Sequence, residues 1–161
     1  VRLLRNHGLE GRDTWIEPGY NSRLSSLQAI VAYHHLKNLD AITERRRENA
    51  AFYDEHLSQL PGIVVPPRDP QIIHPFHLYV IQADRRDELV KHLLADGIEA
   101  KIHYPVPLHR QPALIDRYPE MRSLSLPNVE RQANRILSLP IHQHLTKAQL
   151  KYVVRGIQEF V

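Results

Sequence analysis

Between Gly19 and Pro61 no glycine or proline interrupts the chain. Apolar residues recur there at Leu24, Leu27, Val31, Leu39, Ile42, Ala50, Tyr53, Leu57 and Leu60, close to the spacing of one helix face. This stretch constrains the rest, because it predicts one long helix from near Arg23 to near Gln59. Pro18 and Gly19 mark a turn before it, and Pro61-Gly62 stops it. Asn21 or Ser22 is placed to cap its start, since a short side-chain oxygen accepts an orphan backbone N–H there. The apolar stripe thins between Asp40 and Asn49, where charges fall on several sides. A helix reads this way where it crosses between two packed bodies. Arg45-Arg46-Arg47, flanked by Glu44 and Glu48, reads as a solvated face of that helix. Residues 1–22 are thus expected to end one domain, 23–60 to form the bridge, and 61–161 to form a second, small α+β domain.

The second domain is punctuated clearly. Ile63-Val64-Val65 is a short strand candidate before a proline-rich loop at 66–75. Phe76–Gln82 is the strongest strand, rich in aromatic and β-branched residues. Asp84 is placed to cap a helix over Arg86–Ala95, with Leu89, Val90, Leu93 and Leu94 inward and Gly97 at its end. Ile98, Ala100 and Ile102 alternate with Glu99, Lys101 and His103, the signature of a half-buried strand. Residues 105–127 hold five prolines and predict a long irregular segment, of the kind that is usually functional. A helix is expected over Asn128–Leu137, then a strand or turn at Leu137–Pro140. A final helix follows, capped by Thr146 and buried through Leu150, Val153, Val154 and Ile157. The order is a small sheet with helices on one face, an α/β architecture of the α+β kind.

Composition excludes several classes. The 161 residues fit one domain or a little more and contain no cysteine, hence no disulfide framework and no thiolate metal site. That suits a reducing cytoplasm. No stretch approaches the roughly 20 apolar residues of a membrane span, and no signal-peptide layout opens the chain. A first residue of Val, in what reads as the end of a helix, suggests a fragment of something longer. The net charge of +3 is mild, and cations are interleaved with acids without aromatic partners, so neither nucleic acid nor membrane is an expected partner. Eleven histidines invite a zinc reading, but His142-x-His144, His74-x-x-His77 and His34-His35 share no face, and no metal is expected.

Three motifs occur in one collinear order. The first is Gly19-x-Asn21-x-Arg23 with Gln28-Ala29, Arg45–Arg47 and Ala50-Ala51-x-Tyr53. The second is Arg86-Asp87-Glu88-Leu89, Gly97-Ile98 and His103-Tyr104-Pro105-Val106-Pro107-Leu108-His109. The third is Leu139-Pro140-Ile141-His142 before a terminal helix. Together they resemble the DegT/DnrJ/EryC1/StrS family over nearly the whole chain. Its members are pyridoxal-phosphate-dependent aminotransferases that mostly act on nucleotide-linked keto sugars.

The resemblance implies the C-terminal part of a fold-type I aminotransferase. Its cofactor would be pyridoxal 5'-phosphate, its amino donor glutamate, its substrate a nucleotide sugar, and its assembly a homodimer. The Schiff-base lysine and the pyridinium aspartate of the family lie upstream of the matched segment, so no catalytic residue is expected here. Lys37, Lys91, Lys147 and Lys151 fall on amphipathic helices and Lys101 on a strand, none in a small-residue loop. Asn21 is implied to reach the cofactor phosphate of the partner subunit, beside backbone N–H groups that favour an anion; Asn21 could also simply cap a helix. Arg23 could face the same site or pair locally. His103, Tyr104 and His109 are implied to lie near the active-site mouth as substrate-binding residues, through ring stacking and neutral hydrogen bonds. A rigid proline turn with surface histidines remains the simpler reading of that loop. A related enzyme acting on a cyclitol, or a non-catalytic α+β interaction domain, are the other functional expectations.

Overall fold

The computed structural model describes residues 1–161. The chain divides into two compact units, Val1–Asp40 and Ala41–Val161.

In the first unit, strands β1 (Leu9–Glu10) and β2 (Thr14–Trp15) form a minimal antiparallel hairpin with Leu9 opposite Trp15. A helix, α1, follows over Ser26–Lys37. Its cap is Ser25, not Asn21 or Ser22: the Ser25 hydroxyl accepts from Gln28 N–H, and the Gln28 side chain returns a bond to Ser25 N–H. Asn21 and Ser22 are instead drawn back to the chain start, Asn21 by a backbone bridge to Asn6 and Ser22 by its N–H to Arg5 O. The single helix expected over 23–59 is two helices. Asn38 ends α1: its N–H bonds His35 O, and its side-chain amide donates to His34 O at 3.0 Å. An asparagine amide competes with the helical ladder in this way and satisfies the last carbonyls itself. Helix α2 then runs over Leu39–Leu57.

In the second unit, β3 (Ile63–Val64), β4 (Tyr79–Ala83) and β5 (Ile136–Leu139) form an antiparallel sheet with β4 central. Tyr79 faces Leu139 and Ile81 faces Leu137 across the ladder. These four side chains share one buried face with Ala83, as period-two alternation requires. The core adds Ala50, Tyr53 and Leu57 from α2, Leu89 and Leu93 from α3 (Arg86–Ala95), and Leu150, Val153, Val154 and Ile157 from α6 (Lys147–Gln158). Helices α3 and α6 pack closely, since a Cβ on Gly156 would stand 3.0 Å from Ile98 and 3.2 Å from Leu93. Thr146 caps α6 through a capping box with Gln149.

Several boundaries differ from expectation, each for a local reason. Arg85, not Asp84, is the residue before α3, and it makes no side-chain cap; Asp84 is occupied by Arg135 at 2.6 Å. Leu94 is half exposed rather than inward. Residues 98–102 keep their alternating burial but join the sheet only through a backbone bridge between Lys101 and Ser138. The expected 128–137 helix is α5 (Pro127–Ala133), and Ile136 already belongs to β5. The 105–127 segment contains α4 (Pro112–Arg117) and two 3₁₀ turns, Leu108–Arg110 and Pro119–Arg122. Two of the three arginines expected on a solvated face are stitches: Arg46 donates to Phe76 O at 2.9 Å and Arg45 to Leu145 O at 3.4 Å. Arg47 pairs with Glu44 at 2.5 Å.

Arg86 is the least expected core residue. It is 6% exposed, and its Nη1 donates to Ala133 O at 3.0 Å and to Ile136 O at 2.8 Å. Its charge therefore satisfies the two carbonyls that close α5 and open β5. Replacing it leaves both carbonyls buried without donors, at a cost of about 2–4 kcal/mol from two charge-assisted bonds. Arg86→Met is expected to lower the free energy of unfolding by that amount, read as a lower denaturant midpoint at an unchanged m-value; a change below about 0.5 kcal/mol would show that water replaces the guanidinium.

Candidate functional site

The first unit holds Asn21 and Arg23 on a rigid start. A Cβ on Gly19 would lie 2.4 Å from Gly8 N and 2.8 Å from Leu4 O, and one on Gly8 (φ +71) would overlap Glu17 O. Only glycine allows those two strands of chain to touch. His7 N–H to Tyr20 O and Tyr20 N–H to Leu4 O complete the clamp. The backbone of Asn21 is thereby fixed while its exposed side chain makes no hydrogen bond within the chain. A fixed backbone with an uncommitted amide fits a donor to an external phosphate. Arg23 also points outward, tied only by a 3.4 Å contact to Asn6 Oδ1. None of the lysines offers a comparable fit to covalent cofactor attachment. All five are exposed; Lys101 is paired with Glu99 at 2.8 Å, and Lys37 lies over the Tyr33 ring.

In the second unit a cavity of about 240 Å³ opens at one end of the sheet. His77 leads into β4 and His142 follows β5, and the Tyr79–Leu139 register puts both at the same end. The Lys101–Ser138 bridge brings Lys101 and His103 alongside. His103 Nδ1 and Ser138 Oγ are hydrogen-bonded at 2.9 Å. The next residue, Tyr104, is 73% exposed and meets the His103 ring edge-on at 5.6 Å. His142 is held below the ordinary histidine range, first by burial and then by His144 and Arg46. Its Nδ1 accepts from His144 N–H, as the neutral ring permits. The cavity thus offers imidazole nitrogens, a hydroxyl and the Lys101–Glu99 ion pair, a surface suited to hydroxyl-rich ligands.

His109 does not join this surface. It is 4% exposed, and its Nε2 meets Glu130 Oε1 at 2.9 Å. In this structure it anchors the loop from beneath, where the resemblance implied a substrate contact. His77 and His142, not among the expected site residues, also line the cavity, and it is the strand register that brings them there.

Glu130 Oε1 also accepts from Arg110 Nη2 at 3.0 Å and Leu126 N–H at 3.2 Å. These donors, His109 foremost, hold its carboxyl down to about 2. A carboxyl depressed in the folded state adds stability above its unfolded value, and that stability is lost as pH falls through the folded one. Wild-type protein is therefore expected to lose stability between about pH 4.5 and 2 more steeply than Glu130→Gln, as measured by urea unfolding at each pH. Parallel curves would show the carboxylate gains nothing from its donors.

No three histidine or acidic side chains converge in a metal-binding arrangement, and no helix is long and apolar enough to cross a membrane.

The model of the DegT/DnrJ/EryC1/StrS aminotransferase family matches residues 1–158, and the chain belongs to that family. It is 40% identical over 160 residues to a dTDP-3-amino-3,4,6-trideoxy-alpha-D-glucose transaminase from Streptomyces venezuelae, covering 99% of this chain and 42% of that one. It is 33% identical over 157 residues to a UDP-2-acetamido-2-deoxy-3-oxo-D-glucuronate aminotransferase from Pseudomonas aeruginosa, covering 98% of this chain and 42% of the relative. Among solved structures, Streptomyces venezuelae DesV in complex with a ketimine intermediate superposes with a TM-score of 0.91, at 40% identity over 99% of this chain and 42% of DesV. The chain therefore spans less than half the length of these relatives, and its fold is that of the matching part of a sugar aminotransferase.

Proposed function

We propose that the full-length protein is an aminotransferase that passes an amino group, with glutamate as donor, to a keto sugar carried on a nucleotide. The supporting observation is the unbroken family match over residues 1–158, shared with relatives named as dTDP- and UDP-sugar transaminases. Residues 1–22 would close the large cofactor-binding domain, 23–60 form the bridge, and 61–161 form the small domain. Pyridoxal phosphate, when bound, supplies the electron sink through which an amino group is exchanged between carbons.

The geometry supports the following roles within this chain. Asn21 donates its amide N–H to the cofactor phosphate of the partner subunit, with Arg23 as a second donor. Their backbone is preset by the Gly8–Gly19 contact, so little entropy is lost on binding. His103 and Tyr104, with His77 and His142 beside them, bind the sugar nucleotide. Neutral imidazoles and a phenol pair with hydroxyls and stack on rings without the desolvation cost of an ion. The hydrogen bond between His103 Nδ1 and Ser138 Oγ sets the ring plane.

Assembly as a homodimer is supported by α1, where no residue is buried and Leu27, Ile30, Tyr33 and Leu36 are each more than 60% exposed. A helix apolar on every side is a buried helix. The remainder of the full-length dimer is the cover we assign to it.

The shared site is tested by mixing full-length subunits. An Asn21→Ala subunit and a subunit lacking the cofactor-binding lysine, each inactive alone, are expected to recover activity together, because one intact site reassembles in the heterodimer. No recovery from subunits shown to have exchanged would overturn the in-trans assignment. For substrate binding, Tyr104→Phe removes one neutral hydrogen bond worth about 1 kcal/mol. The KM for the sugar nucleotide is then expected to rise about fivefold, with the glutamate half-reaction unchanged. A loss in the glutamate half-reaction would place Tyr104 in the cofactor chemistry instead.

A further inference from the structure

The exposed turn Tyr104–Leu108 is pinned at both ends. At its near end, Lys101 and Ser138 exchange both backbone hydrogen bonds, 3.1 and 2.6 Å, and His103 bonds the Ser138 hydroxyl. At its far end, one oxygen of Glu130 receives His109 Nε2, Arg110 Nη2 and Leu126 N–H. Arg110 reaches on to Arg122 O at 2.9 Å, so the same clasp gathers the end of the second 3₁₀ turn and the start of α5. Between the pins, Tyr104 and Leu108 are 73% and 80% exposed, whereas His109 is 4% exposed. Five residues held at each end have few conformations left, and two of them are prolines with fixed φ.

We propose that Glu130 is a positioning residue for the acceptor site: through His109 it fixes the far end of this turn and so sets where Tyr104 meets the sugar nucleotide. This rests on the reading that Tyr104 contacts that substrate. Glu130 itself touches no ligand. Its three donors come from two parts of the chain, the Leu108–Arg110 turn and the residue before α5, so one carboxylate decides whether the turn and α5 move together. Two features single it out from a surface ion pair. The acceptor oxygen serves a backbone N–H at the uncapped start of α5, and its histidine partner is buried.

The test uses full-length enzyme and two readouts. Amide hydrogen exchange over residues 104–126 reports the clasp without reference to substrate. The KM, measured with dTDP- and UDP-linked 3-amino sugars run in reverse against 2-oxoglutarate, reports the acceptor site. Glu130→Ala is expected to speed exchange about tenfold or more at the bonded amides of the clasp, Arg110, Gln111 and Leu126, through the loss of charge-assisted bonds. It is expected to raise KM for the preferred sugar nucleotide by up to about fivefold, the whole worth of the Tyr104 contact, with kcat and the glutamate half-reaction within about twofold. Glu130→Gln, which keeps an acceptor oxygen, is expected to restore both to within about threefold of wild type. In a Tyr104→Phe background, Glu130→Ala is expected to add little further to KM, because both act on one contact.

Unchanged exchange in Glu130→Ala would overturn the clasp. Faster exchange with unchanged KM would keep the clasp and overturn the placement of Tyr104 in the acceptor site. Additive effects in the double variant would show Glu130 acting elsewhere. A wild-type enzyme that turns over neither sugar class removes the acceptor site, and this proposal with it. Should the alanine variant fail to fold, Glu130→Asp, whose shorter side chain stretches the same bonds, is expected to shift exchange and KM together by a smaller factor; a shift in only one would count against the proposal.

Discussion

The second unit depends on how α2 captures the turn after β5. Pro140 cannot continue the ladder, because it has no N–H, so the carbonyls around it need donors from elsewhere. Helix α2 supplies them: Tyr53 donates to Pro140 O at 3.0 Å and Asn49 to His142 O at 2.9 Å. Asn49 and Tyr53 lie one helical turn apart on the face that also buries Ala50 and Leu57. The hydroxyl that reaches Pro140 belongs to a ring packed 4.9 Å from Tyr79 at the start of β4. Tyr79 in turn bonds Asp54, which holds Arg68 from the proline-rich loop. Burial drives both phenols well above their ordinary range, and for Tyr79 the Asp54 carboxylate adds to it. Both therefore act as fixed hydroxyl donors at any working pH. One helix face thus seals the core and orients the two chain segments that carry His77 and His142.

The elements legible in the sequence were those with a single competing influence. Helix α6 is amphipathic, capped by Thr146 and buried where its stripe predicts, since nothing but packing on the sheet acts on it. Strand β4 (Tyr79–Ala83) covers only the second half of the expected Phe76–Gln82 run. The failures occurred where a side chain competed with its own backbone. Asn38 interrupts a pattern that periodicity reads as continuous, because a hydrogen bond from its amide carries no periodic signal. Ser25 displaced Asn21 as a cap for the opposite reason: Asn21 was already committed to Asn6, a pairing between distant residues. Ile136 became strand because Arg86, far away in sequence, fixes the carbonyl on which β5 begins.

The site divides similarly. Asn21, Arg23, His103 and Tyr104 were expected from the motif order, not from any local rule; Asn21, Arg23 and Tyr104 are exposed and His103 is half-buried. His109 belongs to the same motif and turned inward. Spacing could not separate them, because a proline-rich loop has no period from which to infer facing. The partner that claims His109, Glu130, lies on a helix whose sequence suggests only solvent. Arg45, Arg46 and Arg47 make the same point in three adjacent residues. Two reach carbonyls across the unit and one stays on the helix surface.

These placements bear on why the side chains we propose for ligand binding sit off the ends of regular elements. A strand fixes its residues to alternate faces, and in β4 and β5 the well-buried face is taken by the core. Side chains for a ligand must come from positions just past the ladder, where direction is no longer set by pleat. Such positions are mobile unless something else holds them. Here each is held by a specific polar bond: His103 by Ser138, His142 by the amide of His144 and by Asn49 on its carbonyl, and the 104–108 turn by Glu130 through His109. The sheet sets where these residues begin, and single hydrogen bonds set where they end. Substitutions in the sheet core would be felt as lost stability, whereas substitutions among these few polar partners would alter the geometry of the cavity with the core intact.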